Sequence, residues 1–498
     1  MTALFGAAVL ASIVFMYLHT SAELAPEEDQ GVLFALTKSP QYSNLDYADS
    51  YDAKLDKSLA SFPETFLRFI VNGRFGPNQG IAGVILKPWN ERTRSSQQLK
   101  PLLQQKVNSV EGLRAFVFNL PPLPATIGGL PIQMVIYSPS DYKSIYLQME
   151  KIKAAARKSG MFIVVDSDLD FNQPVINVKI DRSKANELGV TMRSIGDTLA
   201  LLVGENYVNR FNLGGRSYEV IPQVPRSDRL NQETLTRYYV KSAAGQPVPL
   251  SNLVTLDMGT EPNALTQYNQ LNSATFQAVP MPGVTTGQAV DFLEGQVKDL
   301  PTGYSHDYLS DTRLYVREGN QLAVTFVFAL IIIYLVLAAL FESLRDPLVI
   351  LVSVPMSICG AMMPLFFGMA TMNIYTQVGL VTLIGLISKH GILMVAFANE
   401  LQVSENLNRR RAIEQAARVR LRPILMTTAA MVVGLVPLLT ASGAGAASRF
   451  SIGVVVVAGM SVGTLFTLFV LPAVYTVLAK DHLAAARSIR SRELAQVS

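Results

Sequence analysis

Residues 378–398 read VGLVTLIGLISKHGILMVAFA. The run matches the roughly 20 apolar residues that a helix needs to cross a bilayer, and Lys389 stands near its middle. A lysine at the bilayer centre costs about 2.5–3.5 kcal/mol on insertion scales, so one that is present serves proton coupling, ion transfer or substrate contact, and needs an anionic partner. Neither this run nor any other long apolar run of the chain contains a carboxylate. The partner of Lys389 is therefore expected on another chain, or on a part of the protein that this chain lacks.

Working outward, residues 322–341, 348–370, 423–439 and 452–478 are also apolar and near the spanning length. A sixth run, 3–18, opens the chain. A signal peptide is the alternative for it, with Thr20-Ser21-Ala22 as a cleavage site, but no Lys or Arg precedes it, and it reads better as a span. Basic residues set the topology. Arg409, Arg410, Arg411, Arg418, Arg420 and Arg422 follow the third late run, and Lys480, Arg487, Arg490 and Arg492 lie in the tail; loops 371–375 and 440–451 hold only Arg449. Six spans with both termini in the cytoplasm satisfy this pattern, and residues 22–321 then form one extracytoplasmic loop.

The chain of 498 residues is 49% hydrophobic and 16% charged, the balance of a membrane protein with a large water-exposed part. A net charge of +4 does not suggest nucleic acid as a partner. The lone Cys359 excludes an intrachain disulfide, and the scattered His19, His306, His390 and His482 argue against a metal site. The long loop holds one histidine, no cysteine and no phosphate-binding glycine pattern, so binding or passage is expected rather than catalysis.

That loop reads as α+β. Strand 31–38, helix 44–60, strands 66–71 and 81–86, helix 96–107 and strand 115–119 give the split βαβ order. A second unit is expected from strand 130–138, helix 141–158 and strands 161–166 and 175–180. An insertion over 182–258 interrupts it, and segment 264–279, helix 287–298 and strand 306–310 close it. Pro121-Pro122, Gly128-Gly129, Gly214-Gly215 and Pro280-Met281-Pro282 punctuate the breaks.

Two groups of residues invite a functional reading. Phe66, Phe69 and Phe75 flank the Gly/Asn-rich loop 72–80, and Phe116 and Phe118 alternate on one strand before Pro121. Such aromatics line adaptable apolar pockets, although ordinary core packing is the simpler reading. Arg420 and Arg422 stand at the mouth of the run that begins at Pro423, Arg422 as a positive-inside anchor. Arg420 and Thr427, seven apart, share a helix face; if that face meets Lys389, the three make a polar relay.

A set of motifs runs through the chain: Leu24-Ala25-Pro26-Glu27-Glu28-Asp29-Gln30-Gly31, Phe116-Val117-Phe118-Asn119-Leu120-Pro121, Ile180-Asp181-Arg182 with Leu188-Gly189-Val190, and Ala338-Ala339-Leu340-Phe341-Glu342-Ser343. Gly385-Leu386-Ile387-Ser388-Lys389 and Arg420-Leu421-Arg422-Pro423-Ile424-Leu425-Met426-Thr427 complete it. On these motifs, and over nearly its whole length, the chain resembles the C-terminal half of resistance-nodulation-division (RND) inner-membrane multidrug efflux transporters, of the hydrophobe/amphiphile exporter type. The resemblance implies an α+β membrane protein with six transmembrane helices and a large periplasmic region of split βαβ (ferredoxin-like) porter subdomains carrying an inserted docking subdomain. The expected divisions are a first span (1–21), a first porter subdomain (22–128), a second porter subdomain (129–181 and 259–318) interrupted by the docking subdomain (182–258), a five-helix bundle (319–480) and a cytoplasmic tail (481–498).

The resemblance also implies roles. Lys389, Arg420 and Thr427 match a proton relay that works with two aspartates of the other half of the family's polypeptide. Phe69 and Phe75 match a deep substrate pocket, and Phe116, Phe118 and Leu120 an access pocket. The implied protein is no enzyme and has no cofactor; the proton-motive force drives it. It would be a homotrimer in the inner membrane of a Gram-negative cell, with a periplasmic adaptor (membrane fusion) protein, an outer-membrane channel, and an N-terminal half or second chain supplying the Asp pair. The loop around Phe75 looks short, and Gly83 stands where many such pumps place a pocket phenylalanine. The alternatives are a six-span protein-export accessory of the same superfamily, an inactive truncated pump fragment, and a membrane-anchored scaffold without transport.

Overall fold

The computed structural model describes residues 2–480 apart from 74–77, 121–122, 124–129, 230 and 263, and apart from the side chains of 2–4 and 318–323. Phe75, the Pro121-Pro122 and Gly128-Gly129 breaks and the tail 481–498 thus lie outside the described residues. Backbone contacts group the chain into two compact units, Met1–Asp168 with Leu265–Ser498, and Leu169–Ala264.

The first unit opens with the apolar helix α1 (Thr2–His19) and continues into β1 (Val32–Lys38), α2 (Leu45–Ala60), β2 (Thr65–Asn72), β3 (Gln79–Leu86), α3 (Ser96–Asn108) and β4 (Arg114–Asn119). All six elements of 31–119 stand where alternation and capping residues place them. Asn44 accepts from the Tyr47 amide to start α2, and Ser95 with Gln98 forms a capping box on α3. The strands run antiparallel in the order β2-β3-β1-β4, the split βαβ arrangement. Successive side chains alternate between faces. Leu33, Ala35, Ala82, Val84, Ala115 and Val117 are buried against Leu55 and Leu59 of α2 and Leu99, Leu103 and Val107 of α3. The opposite face carries Phe34, Leu36, Phe69, Phe116 and Phe118.

The second sheet starts with β5 (Ile132–Ser138), α4 (Tyr142–Ser159) and β6 (Phe162–Ser167). The chain then passes through the 169–264 unit. That unit contains β7 (Gln173–Ile180), α5 (Arg182–Glu187), α6 (Met192–Leu202), β8 (Asn209–Leu213), β9 (Arg216–Val220), α7 (Gln232–Leu235), β10 (Tyr239–Lys241), β11 (Pro247–Pro249) and β12 (Val254–Glu261). Ala185, Val190, Ile195, Val240, Leu250 and Leu253 form its core. β8 and β9 make an exposed hairpin closed by Gly214 and Gly215, at φ +60° and +79°. Two consecutive left-handed positions match the twist of a two-residue hairpin, and glycine takes them without a Cβ clash.

The chain returns through β13 (Thr266–Tyr268), β14 (Leu271–Pro280), α8 (Thr286–Val297) and β15 (Ser305–Tyr308). β6, β14, β5 and β15 repeat the order of the first sheet, with β13 also pairing β14. One expectation fails here. The strand expected over 175–180 does not enter the second sheet: β7 pairs along its whole length with β12. β14 takes its place beside β5 and β6. β-propensity marks a segment as a strand, but its partner depends on side chains far away in the sequence.

The helical part comprises α9 (Ser310–Phe341), α10 (Asp346–Leu351) with α11 (Ser353–Phe366), α12 (Ile374–Ser404), α13 (Arg409–Leu439) and α14 (Ala446–Leu478). Among the described residues, five helical stretches are long and apolar enough to cross a membrane, α10 and α11 together making one; α1 is shorter. Helices α9, α12, α13 and α14 all begin before their apolar runs, α9 and α13 by three turns or more. Asn373 and Thr376 form a capping box that starts α12 ahead of Val378. α13 starts at Arg409 rather than Pro423, because Ala412, Ile413 and Ala416 of its basic end are buried, and it carries Pro423 inside.

α14 packs against α11, α12 and α13. It does so through Gly459 and Gly463, the small-xxx-small spacing that lets membrane helices approach closely. A β-carbon at Gly459 would collide with Leu383 of α12, and one at Gly463 would meet Ser357 of α11 at 2.7 Å. Ser357 Oγ already donates to the Gly459 carbonyl at 2.8 Å.

Residues 21–31 strap this bundle to the first sheet. Backbone bonds join Ser21, Glu23 and Leu24 to Met372 and Ile374 at the start of α12. Glu27 accepts from Lys100 and Asn119. Glu28, buried, accepts from the backbone of Ala447 and Ser448 and from the Ser448 hydroxyl. The N-cap of α14 is Gly445, which has no side chain to give, so Glu28 supplies the missing acceptor at the positive end of the helix. Asp29 accepts from Arg92 at 2.7 Å and from the Ser96 and Gly31 amides. Burial raises the Asp29 carboxyl, but these bonds outweigh it and hold its pKa below the usual range. Glu28→Ala leaves buried donors unmet and is expected to cost about 1–3 kcal/mol, read as a lower Tm. Glu28→Gln keeps an acceptor and loses less. An unchanged Tm in Glu28→Ala would show that the cap contributes nothing.

Candidate functional site: a lysine-bearing helix bundle and an aromatic sheet face

Lys389 lies on the exposed side of α12. Among the described residues no hydrogen bond or ion pair reaches it. Arg420 is engaged elsewhere. Its guanidinium stacks over the Phe397 ring, 4.5 Å from the centroid, and its Nε is buried without a hydrogen-bond partner. Thr427 is half-buried, and its hydroxyl is turned back onto its own helix, donating toward the Pro423 and Ile424 carbonyls at 3.0 Å. The three expected relay residues thus stand on two packed helices, α12 and α13, without a hydrogen bond joining them.

Two polar clusters beside them escaped the sequence reading. His390, next to Lys389 but facing inward, is buried between Thr428 of α13 and Thr464 of α14. Asp346, the first residue of α10, is also buried. Its Oδ2 accepts from Asn399 at 3.2 Å, Asn399 Oδ1 accepts from Tyr475 at 2.5 Å, and Tyr475 accepts from Gln402 at 2.7 Å. Asp346 Oδ1 is buried without a hydrogen-bond partner. Asp346 falls two positions before the apolar run 348–370, so the runs themselves hold no carboxylate while the helix pair α10–α11 begins with one.

On the first sheet, strand register aligns Phe69, Gly83, Phe34 and Phe118 in one row across β2, β3, β1 and β4. Phe34 lies 6.1 Å from Phe69, edge-on, and 6.0 Å from Phe118, stacked. All three rings are half-buried on the face turned away from α2 and α3. Core packing against the helices is thus not what these aromatics do. Phe116 sits one row along, opposite Leu36, and both lean on Leu130, Val164 and Val279 of the second sheet region. Leu120 is half-buried just past β4. Phe34 was missed, although the alternation of β1 puts it opposite the buried Leu33 and Ala35. A cavity of about 420 Å³ lies instead in the 169–264 unit, lined by Leu202, Val224, Tyr238 and Tyr239. It contains none of the expected site residues.

Gly83 leaves the room that the Phe69 ring occupies, since a β-carbon there would collide with that ring. Gly83→Phe is expected to expel Phe69 from the row, losing about 0.5–1.5 kcal/mol of ring pairing. Any ligand held by that row should lose affinity, measured as a changed rank order of bound dyes. An unchanged rank order would remove Phe69 from the binding face.

Comparison with known proteins adds the following. A model of the AcrB/AcrD/AcrF family matches residues 1–479. An uncharacterized transporter of Haemophilus influenzae is 44% identical over 485 residues, 96% of this chain and 47% of the relative. The multidrug/solvent efflux pump membrane transporter MepB of Pseudomonas putida is 32% identical over 478 residues, 94% of this chain and 45% of its own. The multidrug resistance protein MdtF of Escherichia coli K12 is 29% identical over 490 residues, 96% and 47%. The chain spans about half the length of the curated relatives it matches.

Proposed function

The chain belongs to the AcrB/AcrD/AcrF family of RND transporters, and on that premise we propose that it is the C-terminal half of a proton-driven permease exporting amphiphilic drugs or toxic small molecules. The observation that carries this reading is Lys389. It is a cation on the exposed side of a 31-residue apolar helix, with no anion beside it among the described residues. A lysine at this depth is costly and characteristically pairs with an acid, here one brought by another protein surface. The rest of the full-length polypeptide, or a second chain, supplies that carboxylate as an Asp pair, and Lys389, Arg420 and Thr427 answer its protonation.

The aromatic face supplies the substrate side. Phe34, Phe69 and Phe118, with Phe116 at the edge of their row and Leu120 just past β4, offer apolar and ring surface without fixed hydrogen-bonding geometry, and Phe75, outside the described residues, is assigned to the same pocket by the family resemblance. That suits amphiphiles of varied shape. The protein works as a homotrimer in the inner membrane of a Gram-negative cell, with six spans and its α+β region in the periplasm. There the porter subdomains carry substrate, and the docking subdomain meets an adaptor and an outer-membrane channel. The relatives' names favour efflux over protein export.

Drug accumulation tests the proposal. Cells expressing the native polypeptide with its partners should hold less of an amphiphilic dye than cells without it, and an uncoupler should abolish the difference. Equal accumulation with and without expression overturns the reading. A difference that survives the uncoupler overturns the proton coupling.

A further inference from the structure

The His390 ring is held by two hydroxyls from other helices. Thr428 Oγ1 lies 3.4 Å from Nε2, Thr464 Oγ1 lies 3.4 Å from Nδ1, and the two hydroxyls are 3.3 Å apart. A hydroxyl has one proton to donate and two lone pairs to accept with. The Thr428 proton goes to the Ile424 carbonyl at 2.9 Å. With its proton placed there, Thr428 accepts from His390, the arrangement of the neutral tautomer with hydrogen on Nε2. Nδ1 then accepts the Thr464 proton.

The same three residues also satisfy the charged ring. With a proton added at Nδ1, that nitrogen donates to Thr464 Oγ1, and the Thr464 hydroxyl turns to donate to Thr428 Oγ1. Every polar atom of the cluster stays bonded in both states, and the only internal change is the rotation of one hydroxyl. A buried histidine with a structural role needs partners for one charge state only, and protonation then leaves a donor unmet.

Charged and titratable groups of the surrounding helices stand at these distances along the chain. Lys389 is the neighbouring residue on α12, Arg420 lies about two turns before Thr428 on α13, Tyr475 about three turns along α14, and Asp346 at the start of α10. α9 and α11 face this part of α12 with Phe326, Leu330 and Ile358.

We propose that His390 is a second proton-carrying residue of the transport cycle. It takes a proton from the aqueous proton-donating side at Nδ1 and later releases it, and Thr464 is the hydroxyl that turns to admit it. This rests on proton-driven transport, but its first test does not require any flux.

That test is nitrogen NMR of the native-length protein in lipid nanodiscs with labelled histidine, His390→Asn assigning the signal. The expected result is a neutral ring with hydrogen on Nε2 at high pH and a doubly protonated ring at low pH. A ring that stays neutral over the whole range in which the protein is folded overturns the proposal. The second test is the pH profile of dye transport in proteoliposomes. His390→Asn, which keeps amide bonding, and Thr464→Val, which keeps the imidazole, should each remove one limb of the profile. A wild-type profile in both variants overturns the proton-carrying role. A ring that titrates in a protein that moves no substrate sinks the transporter reading and leaves the titrating site standing.

Discussion

Lys389→Ala, carried in the native polypeptide and reconstituted into proteoliposomes, is expected to reduce dye efflux under an imposed pH gradient to the level of empty vesicles. Lys389 is exposed on α12 and makes no hydrogen bond or ion pair among the described residues, so its removal disturbs no such bond within this chain. Its effect falls on whatever carboxylate it serves. A nearby cation lowers a carboxyl pKa by about 1–3 units, and each unit is about 1.4 kcal/mol. Without that cation the acid keeps its proton through the pH range of the cycle, and the gradient no longer drives a change of state. Lys389→Arg keeps the charge but spreads it over a planar fork that fits a compact site poorly, and it should restore efflux only in part. A wild-type rate in Lys389→Ala, with normal protein levels, would remove Lys389 from the relay.

Gly459→Val should give the largest loss of stability among the helix substitutions. The added carbons collide with Leu383 and press on Ala361, whose β-carbon would lie 3.1 Å away. Overpacking of this kind costs about 1–3 kcal/mol. It also pushes α11 away, so the bond from Ser357 to the Gly459 carbonyl lengthens or breaks. Gly434→Ala is the control. It lies inside α13 with open space around it and should stabilise by up to about 1 kcal/mol through helix propensity. Thermal melts in detergent distinguish the two. Equal Tm values for both variants would show that α14 does not pack through its glycines.

Local pattern carried the reading furthest where one face of a strand or helix is buried. The first sheet was legible strand by strand because Leu33 and Ala35 alternate with Phe34 and Leu36, and because Ser95-x-x-Gln98 announces a helix. The second sheet was legible except for its pairing: β7 has the composition of a core strand, and nothing within it says that β12 will claim it. The starts of α12 and α13 were read late because polar caps and a basic first half do not register as apolar. Lys389 and Arg420 were visible as charges out of place. The clusters around His390 and Asp346 were not, because each joins side chains from different helices that no spacing along the chain connects. Glu28 shows the same limit most plainly. Its task is set by a glycine at the other end of the sequence.

The strap of residues 21–31 has a thermodynamic consequence. It gives the sheet that carries the aromatic row and the helices that carry Lys389 and His390 a common set of bonds, through Asp29 and Glu27 on one side and Glu28 and Leu24 on the other. Two regions joined in this way exchange influence symmetrically: whatever factor protonation of the helices applies to ligand affinity on the sheet, ligand on the sheet applies to proton affinity in the helices. A saturating ligand should therefore displace the titration of His390, and loosening the strap at Glu28, at the cost of the α14 cap, should weaken that displacement.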